Sequence, residues 1–228
     1  MAVKFTTTKE AAHLNGIKTL VYGDAGMGKT KLCATAPSPV IISAESGLLS
    51  LAKEEIPVIE IKTVDDLVEA YNWFNTSKHA KKFETICIDS ITEIGEVVLS
   101  NAKKQVKDPR QAYGELIEKM ITTIKSFRDL QGFNVYMSAK QEYFKDELNG
   151  TSGYRPSMPG SKLGQQLPYL FDEVFCLRIG KTTDGHEYRY LQTQPDIQYT
   201  AKDRSGSLEQ IEQPNLTNIF NKILEGVK

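Results

Sequence analysis

The sequence predicts an α/β fold: a mainly parallel central sheet flanked by helices, with an antiparallel hairpin near the C-terminus. Short apolar runs that are typical of buried strands alternate with segments of helical periodicity. This alternation is typical of parallel strands connected by helices that cover the sheet. Late in the chain, two strand-like runs, 174–180 and 187–193, flank Asp184-Gly185, and this arrangement is a strong hairpin signal.

The individual elements follow from the spacing of apolar residues. Helical periodicity is present around residues 67–74, 94–102 and 116–127, and Gly132 is a stop signal for the third of these helices. A last helix is predicted over 216–224, with an apolar stripe suited to packing on the sheet. The strand candidates, in chain order, are Lys18–Tyr22, Val40–Ser43, Val58–Ile61, Thr85–Asp89, Val135–Ala139 and Val174–Ile179.

Composition limits the classes of function. The 228 residues suffice for one core, so a single domain over 1–228 is expected, with an N-terminal arm at 1–15. A net charge of −1 means that any nucleic-acid binding must come from local patches or from many subunits acting together. Three cysteines, an odd and small number, predict a reducing cytoplasm and no disulfide framework. No apolar run approaches 18 residues and no signal-peptide pattern is present, so no membrane partner is expected.

Residues 23–30 match the G-x-x-x-x-G-K-[ST] pattern of a phosphate loop, between a predicted strand and a predicted helix. Gly23 and Gly28 let backbone amides turn inward around a phosphate, and the helix N-terminus adds a favourable dipole. Lys29 can reach the β- and γ-phosphates, and the Thr30 hydroxyl can bind Mg²⁺, so ATP and Mg²⁺ are the predicted cofactors. The predicted nucleotide-binding residues are Gly23, Asp24, Ala25, Gly26, Met27, Gly28, Lys29, Thr30 and Lys31.

Two carboxylates complete the predicted site. Asp89 ends an apolar strand, and a carboxylate at the C-terminal end of a parallel strand faces the ligand crevice, so Asp89 is predicted to hold Mg²⁺ opposite Thr30. The alternative is an aspartate that only caps the next helix. Glu45 follows another apolar strand and is the preferred candidate for orienting the attacking water. Glu93 is the second candidate, although the helix dipole is a sufficient explanation for a glutamate in a first turn.

The order of these motifs resembles that of the RecA-type ATPases, a branch of the phosphate-loop NTPase superfamily. The likeness rests on Ile88-Asp89-Ser90 as a Walker B ending, on Glu45 after the second strand, and on Lys202 and Arg204 in a late segment. More closely, the chain is similar to short phage-encoded RecA-like single-strand annealing proteins. The resemblance implies a RecA-type fold and a slow ATPase, stimulated by single-stranded DNA, that forms rings or filaments on DNA and promotes annealing or recombination.

The resemblance also implies roles for further residues. Lys202 and Arg204 alternate in an extended stretch, so both would point the same way and act on the γ-phosphate of a neighbouring subunit. The alternative is a solvated basic edge strand. Lys140 stands where the family has a Gln or His phosphate sensor, and it could donate there as a point charge. Phe5-Thr6-Thr7-Thr8 resembles an aromatic tether that hooks onto a neighbour, with a frayed terminus as the alternative. The predicted catalytic residues are Glu45, Lys29, Lys202, Arg204 and Lys140.

Two segments are candidates for DNA contact. Residues 141–166 are predicted to form a mobile loop, because 148–166 is rich in glycine and proline and has no acidic residue. The resemblance places the second DNA-binding loop of RecA here, and the alternative is a disordered surface loop with incidental charge. The other segment is a basic cluster of Lys103, Lys104, Lys107 and Arg110 after the helix that follows Asp89; the alternative is that these cations only suit the dipole at a helix end. The predicted DNA-binding residues are Tyr143, Phe144, Tyr154, Arg155 and Lys162, together with Lys103 and Lys104.

Three functional hypotheses remain open on the sequence. The first is a DNA-dependent ATPase for annealing or recombination, which would act in the host cytoplasm if it is phage-encoded. Its implied partners are single-stranded DNA, further copies of the chain and a single-strand-binding protein. The second is a nucleotide-gated loader or assembly protein, such as a helicase loader, with little hydrolysis. The third is a metabolic phosphotransferase, for which the sequence has no convincing lid or acceptor motif.

Overall fold

The computed structural model of the chain describes residues 5–8, 10, 16–45, 47–147 and 150–226. Its strands are β1 Lys18–Gly23, β2 Pro39–Ser43, β3 Val58–Glu60, β4 Thr85–Asp89, β5 Asn134–Asp146, β6 Thr151–Pro156, β7 Glu173–Lys181, β8 Glu187–Gln192, β9 Lys202–Asp203 and β10 Ile211–Glu212. Its α-helices are α1 Lys29–Cys33, α2 Val64–Thr76, α3 Ile91–Gln105, α4 Pro109–Arg128, α5 Ser161–Leu170 and α6 Leu216–Gly226. Short 3₁₀ helices lie at Leu48–Leu51 and Lys78–Lys82.

The strands form one sheet in the order β10-β8-β7-β1-β5-β4-β2-β3, with β6 paired to β5 and β9 paired to β7. All neighbours from β7 to β3 are parallel. The pairs β7–β8, β8–β10 and β7–β9 are antiparallel. The predicted α/β fold, with a mainly parallel sheet and a C-terminal antiparallel hairpin, is therefore confirmed.

Helices cover both faces of the sheet. One apolar cluster joins the sheet to α2, α3, α4 and α5, and the other joins it to α1 and α6. The strands supply both clusters by alternation, since Leu20 and Tyr22 of β1 face the first cluster whereas Val21 faces the second. The stripe that predicted the last helix is buried as expected, with Ile219 and Phe220 of α6 in the second cluster.

Helix starts are encoded locally. Thr63 and Asp66 form a reciprocal capping box at the start of α2. Asp108 caps α4, and Pro109 stands in its first turn. At the start of α3 the capping residue is Ser90, whose hydroxyl accepts a hydrogen bond from the Glu93 amide at 3.3 Å. The cap that was an alternative role for Asp89 is thus supplied by its neighbour.

The segment 141–166 is not the irregular loop that the sequence predicted. β5 continues into it and pairs with β6 as an antiparallel hairpin, and α5 follows. The hairpin is held by the chain near residue 198, since the Tyr154 amide donates to the Gln198 carbonyl at 2.6 Å and the Thr200 amide donates to the Tyr154 carbonyl at 3.0 Å. A Cβ on Gly153 would collide with the Gln198 carbonyl oxygen. This glycine therefore permits a close approach of two backbones rather than a loop.

The predicted N-terminal arm at 1–15 lies mostly outside the described residues. Phe5 is described and is exposed, and its role as a tether stays a prediction. Within the described ranges, no helix has both the length and the apolar character that crossing a bilayer requires.

Glu173, at the start of β7, is a buried carboxyl group with incomplete hydrogen bonding. It is 1% exposed, its Oε1 accepts from the Ser205 amide at 3.3 Å, and its Oε2 has no hydrogen-bond partner. Burial raises the pKa of Glu173 to about 8, and the negative charge of Asp203 adds to this effect. The folded protein therefore keeps a proton here that an unfolded chain releases above its ordinary pKa of 4.5.

Because the folded state binds this extra proton, the free energy of unfolding is expected to fall as pH rises from 4.5 to about 8. Glu173→Gln should remove this contribution, so that the variant gains stability relative to wild type at pH 8 and not at about pH 5. Urea unfolding at several pH values measures the difference. Glu187→Gln, at an exposed position on the β7–β8 hairpin, is the control. Parallel pH profiles for Glu173→Gln and wild type would contradict this assignment.

Candidate functional site

The phosphate loop joins the end of β1 to the start of α1. Gly26 and Gly28 have φ angles of 75° and 103°, in the region that favours glycine. The Tyr136 hydroxyl of β5 donates to the Lys29 carbonyl at 2.9 Å and fastens the first residue of α1 to the sheet. An open cleft of about 620 Å³ lies over the loop and is lined by all nine predicted nucleotide-binding residues.

Lys29 is one of the residues that line this cleft. Its ammonium group donates to the carbonyl oxygens of Gly23 and Asp24, at 2.8 and 2.9 Å. Burial lowers the pKa of Lys29, whereas the negative charges of Asp89 and Glu45 act in the opposite direction. A bound phosphate chain would supply the strong acceptors that the two carbonyls supply here.

Thr30 and Asp89 meet across the end of β5. The Thr30 hydroxyl donates to Asp89 Oδ2 at 2.6 Å, and the other oxygen of Asp89 accepts from the Ser138 hydroxyl. Asp89 is 3% exposed, and its peptide bond to Ser90 is cis. A hydroxyl and a carboxylate oxygen are the hard ligands that Mg²⁺ prefers, so this pair fits the ion. The structure brings the two predicted ligands together, and their magnesium role stays a prediction.

The two candidate water-orienting carboxylates have different surroundings. Glu45 lines the cleft, and its Oε1 accepts from the Ser90 hydroxyl at 2.7 Å. Glu93 instead pairs with the Lys140 ammonium, and this hydrogen bond raises the pKa of Lys140. Lys140 lines the cleft too, but its charged end is directed to Glu93. The geometry favours Glu45 for positioning water and leaves Lys140 as a sensor only if its ion pair opens.

Two polar side chains of the cleft that contact the phosphate loop were not predicted from the sequence. Gln141 directly follows Lys140, and its Nε2 donates to Asp24 Oδ1 of the phosphate loop at 3.2 Å. Arg189 of β8 places Nη2 at 3.5 Å from the Gly26 carbonyl oxygen. The predicted strand ended at residue 139, whereas β5 continues to Asp146. A longer predicted strand would have made Gln141 a candidate site residue, because side chains alternate along a strand and residues 140 and 141 leave opposite faces. The sequence carries no local signal for Arg189, since the register of the β7–β8 hairpin determines its position.

Lys202 and Arg204 lie far from the phosphate loop of their own chain. β9 pairs with the first residues of β7, on the side of the sheet where the parallel strands begin. Lys202 donates to the Pro168 carbonyl at 2.9 Å, and Arg204 forms an ion pair with Asp172 at 2.6 Å. Lys202 also donates to the Phe171 carbonyl, so both side chains reach the end of α5 and the short connection to β7. Their action on a neighbouring subunit's nucleotide stays a prediction.

The structure separates the predicted DNA-binding residues of the first segment. Tyr143 and Tyr154 are paired on one face of the β5–β6 hairpin. Phe144 and Arg155 lie on the other face, where the Arg155 guanidinium is 5.0 Å from the centre of the Phe144 ring. Lys162 is exposed in the first turn of α5. The five side chains therefore do not form one continuous surface.

Lys103 and Lys104 lie in the last turn of α3. The helix begins directly after β4, and at about 1.5 Å per residue its last turn is roughly 20 Å from that start. The Lys103 ammonium lies 5.5 Å from the centre of the Tyr113 ring. The same Tyr113 ring lies beside Gly160, directly before α5, so the structure places Lys103 near the start of α5 and does not place it beside the β5–β6 strands.

Tyr143 and Tyr154 belong to a longer row of rings, which we call the aromatic strip. Ring centres are 5.5 Å apart for Tyr143–Tyr154 and 5.0 Å apart for the stacked pair Tyr154–Tyr199. The Arg178 guanidinium lies 3.9 Å from the Tyr199 ring centre and 5.6 Å from that of Tyr190. Tyr188 extends the row at 5.8 Å from Tyr190. The strip consists of Tyr143, Tyr154, Tyr199, Arg178, Tyr190 and Tyr188.

The fold and the site define the class of protein. A parallel sheet with a phosphate loop after its central strand, and with a strand-end carboxylate contacting the loop's threonine, is that of a phosphate-loop nucleoside triphosphatase. The chain matches the family model described as "AAA domain" over residues 15–205 and belongs to that family. The family and the site together establish an ATP-binding domain.

Comparisons with individual proteins add a distant structural likeness. No curated protein matches the chain by sequence. Among solved structures, a KaiC-like protein from the hyperthermophilic archaeon Pyrococcus horikoshii OT3 is similar, with 14% identity and a TM-score of 0.47, covering 82% of this chain and 83% of that one.

The assignment of Glu45 as the water-orienting carboxylate can be tested against the alternative candidate, Glu93. Glu45→Gln should lower kcat for ATP hydrolysis by about 100-fold or more, because an amide cannot take up the proton of the attacking water. ATP affinity should change little, since the phosphate loop is untouched. Glu93→Gln is the matched control and should stay within a few-fold of wild type. Steady-state turnover and equilibrium ATP binding measure both effects, and the reverse ranking of the two variants would exclude Glu45.

Proposed function

We propose that this AAA-family chain is an ATPase that binds single-stranded DNA, oligomerises on it and promotes annealing or recombination. In this proposal the loop amides and Lys29 bind the triphosphate, and Thr30 with Asp89 hold the magnesium ion. Bound Mg²⁺ would neutralise part of the phosphate charge. Glu45, oriented by the Ser90 hydroxyl at 2.7 Å, positions a water molecule for attack and accepts its proton.

The aromatic strip is the observation that supports DNA as the partner. Proteins that bind single strands without sequence preference combine cations for the phosphates with aromatic rings on which bases stack. Tyr143 is 61% exposed at one end of the strip, and Tyr188 is 44% exposed at the other. Arg178 lies between two of the rings and supplies a guanidinium. Lys145 follows Tyr143 on the same face of β5 and is exposed.

The strip is physically connected to the nucleotide site. Gln141 and Tyr143 are two residues apart on β5, so their side chains leave the same face of the strand. Gln141 donates to Asp24 of the phosphate loop at 3.2 Å. The Tyr22 hydroxyl, on the strand that leads into the loop, donates to the Tyr154 and Thr200 carbonyls, at 3.2 and 2.7 Å. A change at the loop on nucleotide binding would therefore reach the hairpin through direct contacts, which supports DNA-dependent turnover.

We expect ATP turnover by the wild-type protein to rise several-fold with single-stranded DNA, and Lys29→Ala to abolish turnover with and without DNA. Phosphate release at saturating ATP, measured across a DNA titration, is the assay. Absence of ATP binding at millimolar nucleotide would refute the proposed ATPase activity. The loader hypothesis would instead be supported by three results together. ATP turnover would not change with DNA, the protein would capture a protein partner only with ATP, and it would have no affinity for single-stranded DNA.

Tyr143→Ala should weaken single-stranded DNA binding by about 5-fold or more, because one stacking ring is worth about 1–3 kcal/mol. Tyr143→Phe keeps the ring and should bind as wild type does. Tyr169→Ala is the matched control, since Tyr169 is 82% exposed on α5 outside the strip. Fluorescence anisotropy with a labelled oligonucleotide measures all three. Equal affinities for the two alanine variants would remove the strip from the DNA-binding surface.

A further inference from the structure

Arg189 occupies an unusual position for an exposed cation on a hairpin. It is paired with Ile179 in the β7–β8 register, on the same side of the sheet as Leu177. Leu177 in turn lines the cleft beside Gly23 of the phosphate loop. The hairpin thus carries the Arg189 side chain over the loop rather than out into solvent.

The guanidinium of Arg189 lies beside the phosphate loop, and its one described hydrogen bond there is long. Its Cδ and Nε atoms would lie 3.8 Å from a Cβ on Gly28, and its Nη2 is 3.5 Å from the Gly26 carbonyl oxygen, the limit of a hydrogen bond. The described ion pairs of the chain do not include Arg189. Arg178 on the adjacent strand differs, because it is held by the Gln192 amide oxygen at 2.6 Å and by two rings.

We infer that Arg189 binds the phosphates of the nucleotide held in the phosphate loop of its own chain. A guanidinium offers five N–H donors in a planar fork that matches phosphate oxygens, and it remains charged at all relevant pH values. The strongest acceptors near Arg189 would be the phosphate oxygens seated on the loop amides beside Gly26 and Gly28. This inference rests on nucleotide binding by the phosphate loop and makes one protomer sufficient for that binding.

The inference differs from the role that the sequence suggests for Lys202 and Arg204. Those two cations lie on the side of the sheet where the parallel strands begin and contact their own chain. They would have to act on a second protomer. Arg189 needs no second copy of the chain, so its contribution to nucleotide affinity should not depend on protein concentration.

Equilibrium titration of ATP and ADP against wild type and Arg189→Ala tests this contact. Loss of a charged hydrogen-bond donor should weaken affinity by about 10-fold or more, and Arg189→Lys should recover part of the loss. Loss for ATP alone places the contact at the γ-phosphate, whereas equal loss for both places it at the inner phosphates. Lys181→Ala, which removes an exposed cation from the same hairpin, should bind as wild type does.

A mixing experiment separates action within a chain from action between chains. Lys29→Ala protein keeps Arg189 but lacks a functional phosphate loop. Arg189→Ala protein keeps the phosphate loop but lacks the guanidinium. If Arg189 acts within its own chain, mixing the two should not restore nucleotide affinity; restoration would overturn the inference. Equal affinities of Arg189→Ala and Lys181→Ala would also overturn it, provided that wild type binds ATP. Failure of wild type itself to bind ATP would refute nucleotide binding and this inference together.

Discussion

The nucleotide site depends on the parallel pairing of β1 with β5 and of β5 with β4. Gly23 is in register with Lys140, and Ile88 is in register with Met137, so the phosphate loop and Asp89 emerge at the same edge of the sheet. The contact between Thr30 and Asp89 spans the intervening strand. A slip of β4 by one residue would turn Asp89 to the opposite face and separate the pair.

This arrangement requires a buried carboxylate at the end of a central strand of the sheet. A buried charge is costly unless it is hydrogen-bonded, and Asp89 is satisfied by the hydroxyls of Thr30 and Ser138. Ser90 performs two tasks beside it, since its hydroxyl caps α3 and donates to Glu45. Small hydroxyl side chains therefore position both carboxylates of the site, and the apolar clusters on each face hold the strands that carry them.

The β5–β6 hairpin contributes Gln141 to the cleft and Tyr143 and Tyr154 to the aromatic strip. Backbone hydrogen bonds to residues 198–200 hold it, and its base reaches the phosphate loop through Gln141. Under the proposed function, strand β5 contributes residues to both the nucleotide site and the DNA site. Nucleotide binding and DNA binding could then be coupled over a short distance. The basic pair Lys202 and Arg204 is at the other edge, where a neighbouring protomer would have to meet it.

Local patterns were sufficient for the elements whose signals are carried by adjacent residues. Apolar runs and helical periodicity predicted the strands and helices, and the spacing of Gly23, Gly28, Lys29 and Thr30 predicted the loop in its strand–helix context. A carboxylate at the end of one strand, Asp89, and another just after a second strand, Glu45, were enough to predict both at the cleft, because parallel strands end on the same side of a sheet.

Features that depend on distant segments needed the tertiary structure. Glycines and prolines in 148–166 predicted an irregular loop, whereas Gly153 makes room for the Gln198 backbone some forty-five residues later in the chain. Gln141, Arg189 and the aromatic strip arise from strand extension and hairpin register, which bring together side chains with no shared local pattern. Sequence spacing determines which side of an element a residue faces, and only the packing of whole elements determines what that side meets.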